Sequence, residues 1–358
     1  MQNLDDFVEE SELLSQVARL EKKLVSSKTS LSTARTNVKS LTHDLEATQT
    51  RLEMVLAATN QKPPKWLTPK KAGKSEAVAV AVLSDCHWDE VVRPEEVAFT
   101  NAYNRQIAEM RLKRFVEKTI ELSRDYVANV KITGLVLLLG GDLVSGDIHE
   151  ELKETNEGSS LETAVYWSGQ LAGAINGLVN HFGNVHIAAV VGNHGRRTRK
   201  PRSKGRVHDN FDWLIAHSVS TMLEADDRIT WQIPETADTI VKVHDIRILL
   251  THGDKVTGGS GIGGIWPPIK RLQARLQSNP STEHDLLVMG HWHQLTLATT
   301  AKLLVNGSLK GWDEYAATSA FEWEEPRQAW FIVTPEHGVT MSAPIFVCDR
   351  EAEDWLGN

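Results

Sequence analysis

Five short polar clusters each close a run of apolar sequence, and that order restricts the fold more than anything else in the chain. The clusters are Asp85-Cys86-His87, Gly140-Gly141-Asp142, Gly192-Asn193-His194, Thr251-His252-Gly253 and Gly290-His291-Trp292-His293. The runs before them, 77–83, 134–139, 185–191, 246–250 and 285–289, are rich in Ala, Val, Leu and Ile and read as buried β-strands. Between the first strands lie helical patterns at 104–128, 161–181 and 210–224. Strand-rich sequence follows, with 303–305, 329–333 and 339–341 expected in a second sheet. Helices alternating with strands and then giving way to strands predict an α/β fold of two packed sheets flanked by helices. Ligands of such folds gather beyond the carboxyl ends of strands, where all five clusters fall.

The residue types in the clusters point to metal. Carboxylate, imidazole and amide donors at strand ends are numerous enough for two ions. On an extended backbone alternate side chains share a face. Asp85 and His87 are therefore expected to point together, with Cys86 turned into the core. By the same argument Trp292 packs away from His291 and His293. The glycines before Asp142 let the backbone turn tightly.

Residues 13–56 form a separate device. Val17, Leu24, Leu31, Val38, Leu45 and Leu52 recur every seven residues, and Leu13, Leu20, Ser27, Ala34, Leu41, Thr48 and Val55 make a second row three positions on. These are the a and d positions of a coiled coil. An isolated helix would leave this narrow seam wet, so a homo-oligomer is expected, two-stranded by its Val and Leu content. A helix folded back on its own domain is the alternative. The organisation read from the sequence is a coiled-coil helix over 1–59, a basic Pro-containing linker over 60–75, one catalytic domain over 76–348 and a loosely held acidic tail over 349–358.

Composition narrows the setting. The net charge of −8 leaves any case for nucleic acid to local patches. Two cysteines exclude a disulfide framework and suit a reducing compartment. The acidic start does not read as a secretory signal, and no run approaches the roughly 18 apolar residues of a membrane span. The expectation is a cytoplasmic protein without a membrane partner.

Taken as an ordered set, Asp-x-His, Gly-Asp, Gly-Asn-His, His-Gly and Gly-His-x-His resemble the motifs of the calcineurin-like metallophosphoesterases, over residues 77–341. The resemblance implies a β-sandwich of two mixed sheets with outer helices. It implies that Asp85, His87 and His293 hold one metal, that Asn193, His252 and His291 hold a second, and that Asp142 bridges them. His194 would hydrogen-bond the phosphate and protonate the leaving oxygen. A water shared by two cations would be acidified into the nucleophile. Oxygen and nitrogen donors without thiolate suit Mn2+ first, with Fe or Zn2+ as alternatives. Two departures stand out. Gly195 replaces the acidic residue that follows Gly-Asn-His in many relatives, which leaves open what orients His194. The second motif lacks the Asp-Arg of the phosphoprotein phosphatase branch.

The stretch after His194 bears on substrate. Arg196, Arg197, Arg199, Lys200, Arg202, Lys204 and Arg206 are seven cations among eleven residues, with no acid. Arg-rich surfaces bind phosphates bidentately and follow polyanionic backbones. A phosphodiesterase acting on nucleic acid is the first expectation, loosely similar to the DNA-repair nucleases of the superfamily, with Arg196, Arg197, Arg199, Lys200 and Arg202 contacting substrate. A small-molecule or nucleotide phosphatase, with the loop as a solvated flap, is the second. A non-enzymatic coiled-coil assembly protein is the third. His149-Glu150-Glu151 is read as a solvated helix start, and Asn306-Gly307-Ser308 as a turn. The glycine-dense stretch 258–264 matches no phosphate-loop pattern and is read as a loop near the site.

Overall fold

The computed structural model describes residues 4–59, 76–256, 264–319, 321–349 and Glu353. The linker expected over 60–75 and most of the glycine-dense stretch lie outside the described residues. The chain forms two compact units, residues 1–61 and 62–358. The first is a single helix, α1 (Leu4–Thr59), about 84 Å long at 1.5 Å per residue. Among its described seam residues, Leu13, Val17, Leu20, Leu24, Leu31, Val38, Leu41 and Leu45 are 49–68% exposed. Thr48, at a d position, bonds back to the Asp44 carbonyl at 2.7 Å, so its hydroxyl is satisfied within the helix. Among the described residues no helix is long and apolar enough to cross a membrane.

The second unit holds β1 (Glu76–Leu83), α2 (Arg105–Asp125), β2 (Lys131–Leu139), α3 (Glu150–Thr155), α4 (Ser160–Phe182), β3 (Val185–Ala189), α5 (Phe211–Met222) and β4 (Ile229–Gln232). There follow β5 (Asp238–Val243), β6 (Ile246–Thr251), α6 (Trp266–Gln277), β7 (Leu286–Met289), β8 (Thr296–Ala298), β9 (Leu303–Val305), α7 (Glu314–Thr318), β10 (Arg327–Thr334) and β11 (Gly338–Phe346). One mixed sheet runs β11-β10-β1-β2-β3-β4 and the other β5-β6-β7-β9-β8. β1 to β4 are parallel, as are β6, β7 and β9, while β10 and β11 add antiparallel strands beside β1. This corrects the expectation for 329–333 and 339–341: both strands return to the first sheet.

Side-chain alternation along β1 explains the layering. Val78, Val80 and Val82 face the second sheet and pack with Val136, Leu138, Ile248, Leu250, Val288 and Phe331. The intervening Ala77, Ala79, Ala81 and Leu83 meet Leu112, Phe115, Trp167, Leu171 and Ile215 of the helices. Branched residues fill the gap between sheets, while small ones let helices approach. Beyond the second sheet, Leu249, Leu287 and Met289 pack with Ile269 of α6. The helices begin where the sequence caps them. Asn104 accepts the Ile107 amide at 2.8 Å, and Ser159 and Glu162 form a reciprocal box at α4.

The tail departs from expectation. Glu353 is buried and meets the wholly buried Arg111 at 3.0 Å, while Asp349 pairs with Arg114 at 2.9 Å. An unpaired buried guanidinium would be costly, so this part of the tail closes the core.

Candidate metal centre

The clusters converge at the carboxyl ends of β1, β2, β3, β6 and β7. The chain leaving β1 keeps pairing with the chain leaving β2: Asp85 N–H donates to the Gly141 carbonyl at 3.0 Å and His87 N–H to Asp142 at 3.1 Å. The means of convergence differs from extended alternation. Asp85, His87, Asp142, His291 and His293 all have positive φ, between 46° and 71°. That left-handed region is uncommon for residues with a β-carbon and gathers at functional sites. Cys86 is buried in the core as expected, and Trp292 is half-buried against the α6 side of the second sheet.

Three donor groups result: Asp85, His87 and His293; His87, Asp142 and His194; Asp142, His252 and His291, each with ligand atoms within 4.8 Å of one another. Nε2 of His87 and of His293 lie 3.2 Å apart, and His293 Nε2 is 3.4 Å from Asp85 Oδ1. On the other side His252 Nε2 is 2.9 Å from Asp142 Oδ2 and 3.1 Å from Asn193 Oδ1. Thus Asp142 belongs to two groups, and Asn193 stands with His252. Lone pairs crowded this closely repel unless positive charge lies among them, so the donor set fits two divalent cations.

The electrostatics agree. Burial alone would raise the Asp142 carboxyl, yet His252 and His194 hold it well below the usual carboxylate range. Burial would lower His252, but Asp142 beside it lifts it to about 10. A proton there and a cation there answer the same need, the compensation of buried carboxylates. Burial, with the charge of Lys310, keeps His87 well below its ordinary value, so its imidazole is neutral and ready to ligate.

Several residues that hold the ligands were missed in the sequence. Asp212, in the first turn of α5, is buried. It accepts the amides of Asp142 (3.0 Å), Gly192 (2.8 Å) and Leu143 (3.1 Å). It ties the second cluster to the third. Burial, then the Asp142 charge, pushes its carboxyl up to about 6. Gly192 is needed here, because a β-carbon on it would lie 2.0 Å from Asp142 Oδ1. Gly195 is explained likewise: its β-carbon would meet Asn210 Oδ1 at 2.3 Å. Asn210 caps α5 and donates to the Gly192 carbonyl at 2.9 Å, so the Asn210–Asp212 pair fills the space a larger residue would need.

Ser84 donates to Asp85 Oδ2 at 2.5 Å and accepts from Asn306, which is wholly buried. Asn306 is thus a support of the first cluster rather than a surface turn. Glu90 Oε2 lies 3.4 Å from His87 Nδ1, and Lys310 donates to Glu90 at 2.7 Å and to Asp313. Burial would lower the Lys310 ammonium, but Asp313 and Glu90 hold it well above its ordinary value. An acid two residues beyond the α5 cap and another three beyond His87 were the only signals for Asp212 and Glu90.

The Ser145 carbonyl settles the orientation of His194, whose Nδ1 lies 2.8 Å away. Nδ1–H donates there, which leaves Nε2 to exchange protons. His149 begins α3 as expected, and its ring also lies 5.9 Å from that of His194, so it lines the cleft. In the basic loop, Arg197 pairs with Asp209 (3.2 Å), Arg199 with Glu150 (3.2 Å) and Arg206 with Asp254 (2.7 Å). Arg196 gives its hydrogen bonds to the carbonyls of Asn193, Thr198 and Arg199. Lys200 and Arg202 are exposed and make no ion pair among the described residues.

No protein-family model and no curated protein matches the chain. Solved structures are similar to it at a low level. Vacuolar protein sorting 29 from Cryptosporidium parvum is 13% identical with a TM-score of 0.31, over 75% of this chain and 97% of that one. A predicted phosphoesterase from Streptococcus pneumoniae is 14% identical with a TM-score of 0.28, over 75% and 97%. A dimetal phosphatase from Danio rerio is 10% identical with a TM-score of 0.32, over 76% and 99%. At these scores the likenesses carry no weight, and the chemistry rests on the residues themselves.

Proposed function

We propose that this chain is a dinuclear metallophosphoesterase of the calcineurin-like kind, hydrolysing phosphodiester bonds of nucleic acid. The observation that carries the reading is the convergence of Asp85, His87, Asp142, Asn193, His252, His291 and His293 around shared donor atoms, with His194 beside Asp142. Two divalent cations, Mn2+ being the first choice, would supply positive charge to phosphoryl oxygens and acidity to water. Asp142 would serve both, with Asp85, His87 and His293 on one side and Asn193, His252 and His291 on the other.

His194 does the proton work. Its Nδ1 is fixed on Ser145, so Nε2 faces the reaction. Burial lowers its pKa and keeps the free imidazole neutral. An anionic phosphate beside it favours the imidazolium, so substrate binding brings the proton that the leaving oxygen needs. The backbone amide of His194 donates to Asp142 Oδ1 at 2.7 Å, which keeps the His194 ring and the Asp142 carboxylate in register.

The nucleic-acid part of the reading rests on the cationic loop that follows His194. A second reading, a nucleotide or small-molecule phosphatase, is favoured by the internal neutralisation of Arg197, Arg199 and Arg206, which shortens the free basic track. Turnover of bis-p-nitrophenyl phosphate against p-nitrophenyl phosphate, with single- and double-stranded DNA and Mn2+, separates them. The first reading requires diester and DNA cleavage that an Asp142→Asn variant loses. Monoester turnover without DNA cleavage favours the second, and no turnover of any ester rejects both. We also infer that residues 13–56 pair with a second copy of the chain, since the heptad seam of a lone helix would be left wet. Buried free Cys86 and Cys348 are consistent with a reducing, cytoplasmic setting.

A further inference from the structure

Beside the metal centre lies a cavity of about 190 Å3 whose wall includes Asn193, Arg196, Arg202, Lys204, Arg206 and Asp254. It shares Asn193 with the donor groups, so a group seated in it adjoins whatever the centre holds. Pockets for whole small-molecule ligands measure about 300–1,000 Å3, so this space takes part of a ligand, not all of one.

The wall carries the cations Arg196, Arg202, Lys204 and Arg206 against the acids Asp209 and Asp254, and Asp209 is already paired with Arg197. Arg206 is neutralised by Asp254, both of whose oxygens accept from its Nη2 at 2.7 Å. Arg202 and Lys204 carry no ion pair among the described residues. Arg196 is half-buried and faces three carbonyl oxygens, of Thr198 (2.9 Å), Asn193 (2.8 Å) and Arg199 (3.2 Å), with no carboxylate against it. Three of its five N–H donors are thereby used, and the carboxylates of Asp142 and Asp254 act on its charge without an ion pair to it. A partly desolvated cation with no carboxylate in contact is poorly compensated, and a guanidinium fork suits phosphate oxygens.

We propose that this cavity binds a second phosphoryl group of the substrate, so that the enzyme selects esters carrying two phosphates over those carrying one. The proposal rests on the phosphoesterase reading above and names its substrate class. Arg196 provides the fixed charge, braced on the carbonyl of Asn193. Arg202 and Lys204, exposed on the rim, provide the charges that close over the group. The second phosphate comes from either of two sources: the next linkage of a nucleic-acid strand, or the adjoining phosphate of a nucleoside diphosphate.

The test uses the full chain with Mn2+ and three p-nitrophenyl esters: of thymidine 5′-phosphate, of thymidine 3′,5′-bisphosphate through its 5′-phosphate, and of thymidine 5′-diphosphate. Expected is a kcat/KM at least about tenfold higher for one of the two-phosphate esters, and the preferred one identifies the source. In an Arg202→Ala/Lys204→Ala variant, which keeps Arg196, the ratio falls at least about threefold, through KM. Both positions are exposed, so the fold tolerates the change. A ratio near one in the wild type, or a ratio the variant leaves as it was, overturns the proposal while the phosphoesterase reading stands. If no ester is turned over, that reading fails, and calorimetry of inorganic pyrophosphate with EDTA-treated protein still judges the cavity. Binding weakened at least about tenfold by the double variant supports it, and no binding overturns it.

Discussion

Replacing Asp212 separates the hydrogen-bonding role of a buried carboxylate from its charge. Its oxygens accept three buried amides, those of Asp142, Leu143 and Gly192. An amide left without an acceptor costs about 1–3 kcal/mol, so alanine forfeits about 3–9 kcal/mol. Against this stands the cost of the buried charge. The carboxyl moves from 3.8 to about 6, through burial first and the Asp142 charge second. That shift corresponds to about 3 kcal/mol of destabilisation at neutral pH, which any neutral residue removes. Asp212→Ala is therefore expected to lose about 3 kcal/mol net. Asp212→Asn keeps an acceptor for Asp142 and Gly192, loses one at Leu143, and should lie within about 2 kcal/mol of wild type.

The sign with pH follows from the raised value. The Asp212 contribution is fully present below 3.8 and is lost as pH rises through about 6. The asparagine variant should thus gain on wild type between pH 4 and 7, by about 2.4 kcal/mol. Urea unfolding of EDTA-treated protein at both pH values reads this, and Mn2+ titration reads the consequence for the centre. Because Asp212 joins two ligand loops, alanine should weaken Mn2+ about 10–100-fold. Alanine as stable as asparagine, with wild-type Mn2+ affinity in both, would refute the reasoning.

Three further outcomes are expected. His194→Gln should lower kcat about 10²–10⁴-fold while the bound Mn2+ stays at its wild-type count; a lost ion would make His194 a ligand instead. His186, buried between Thr230 and Gln232, is pushed below its ordinary value by burial, so it is neutral when folded and its contribution is lost as pH falls below about 6.5. His186→Gln should flatten the acid side of the stability profile by up to about 1.4 kcal/mol per pH unit, and identical slopes would contradict this. Leu24→Lys with Leu31→Lys places charge in the seam of α1 and should convert a self-associated chain to monomer in sedimentation, with esterase activity persisting. A wild type that is already monomeric would dispose of the coiled coil.

The residues that converge were legible because strands buried on both faces leave little choice of residue, and polar clusters interrupting them are conspicuous. The fold class followed from the same runs. The local geometry was not legible. Alternation brought Asp85 and His87 together on paper, whereas left-handed backbone at both does so in the protein. Asp212, Glu90, Asn306 and Lys310 escaped notice because each acts on a ligand across a fold contact that no local pattern announces. The return of β10 and β11 to the first sheet has the same origin, since a strand's partner is not written in its own sequence. The basic loop read as a uniform surface because the acids that quench it, Glu150, Asp209 and Asp254, lie outside it or beyond its turn. Arg111 likewise gave no sign of its partner in the tail.

Seven donor residues, Asp142 among them, are proposed to hold a dinuclear centre. Its most direct test is the number of Mn2+ ions retained per chain after loading and exhaustive dialysis, measured by mass spectrometry of the intact protein under native conditions. Two ions per chain are expected. A wild-type chain that retains none would contradict the account.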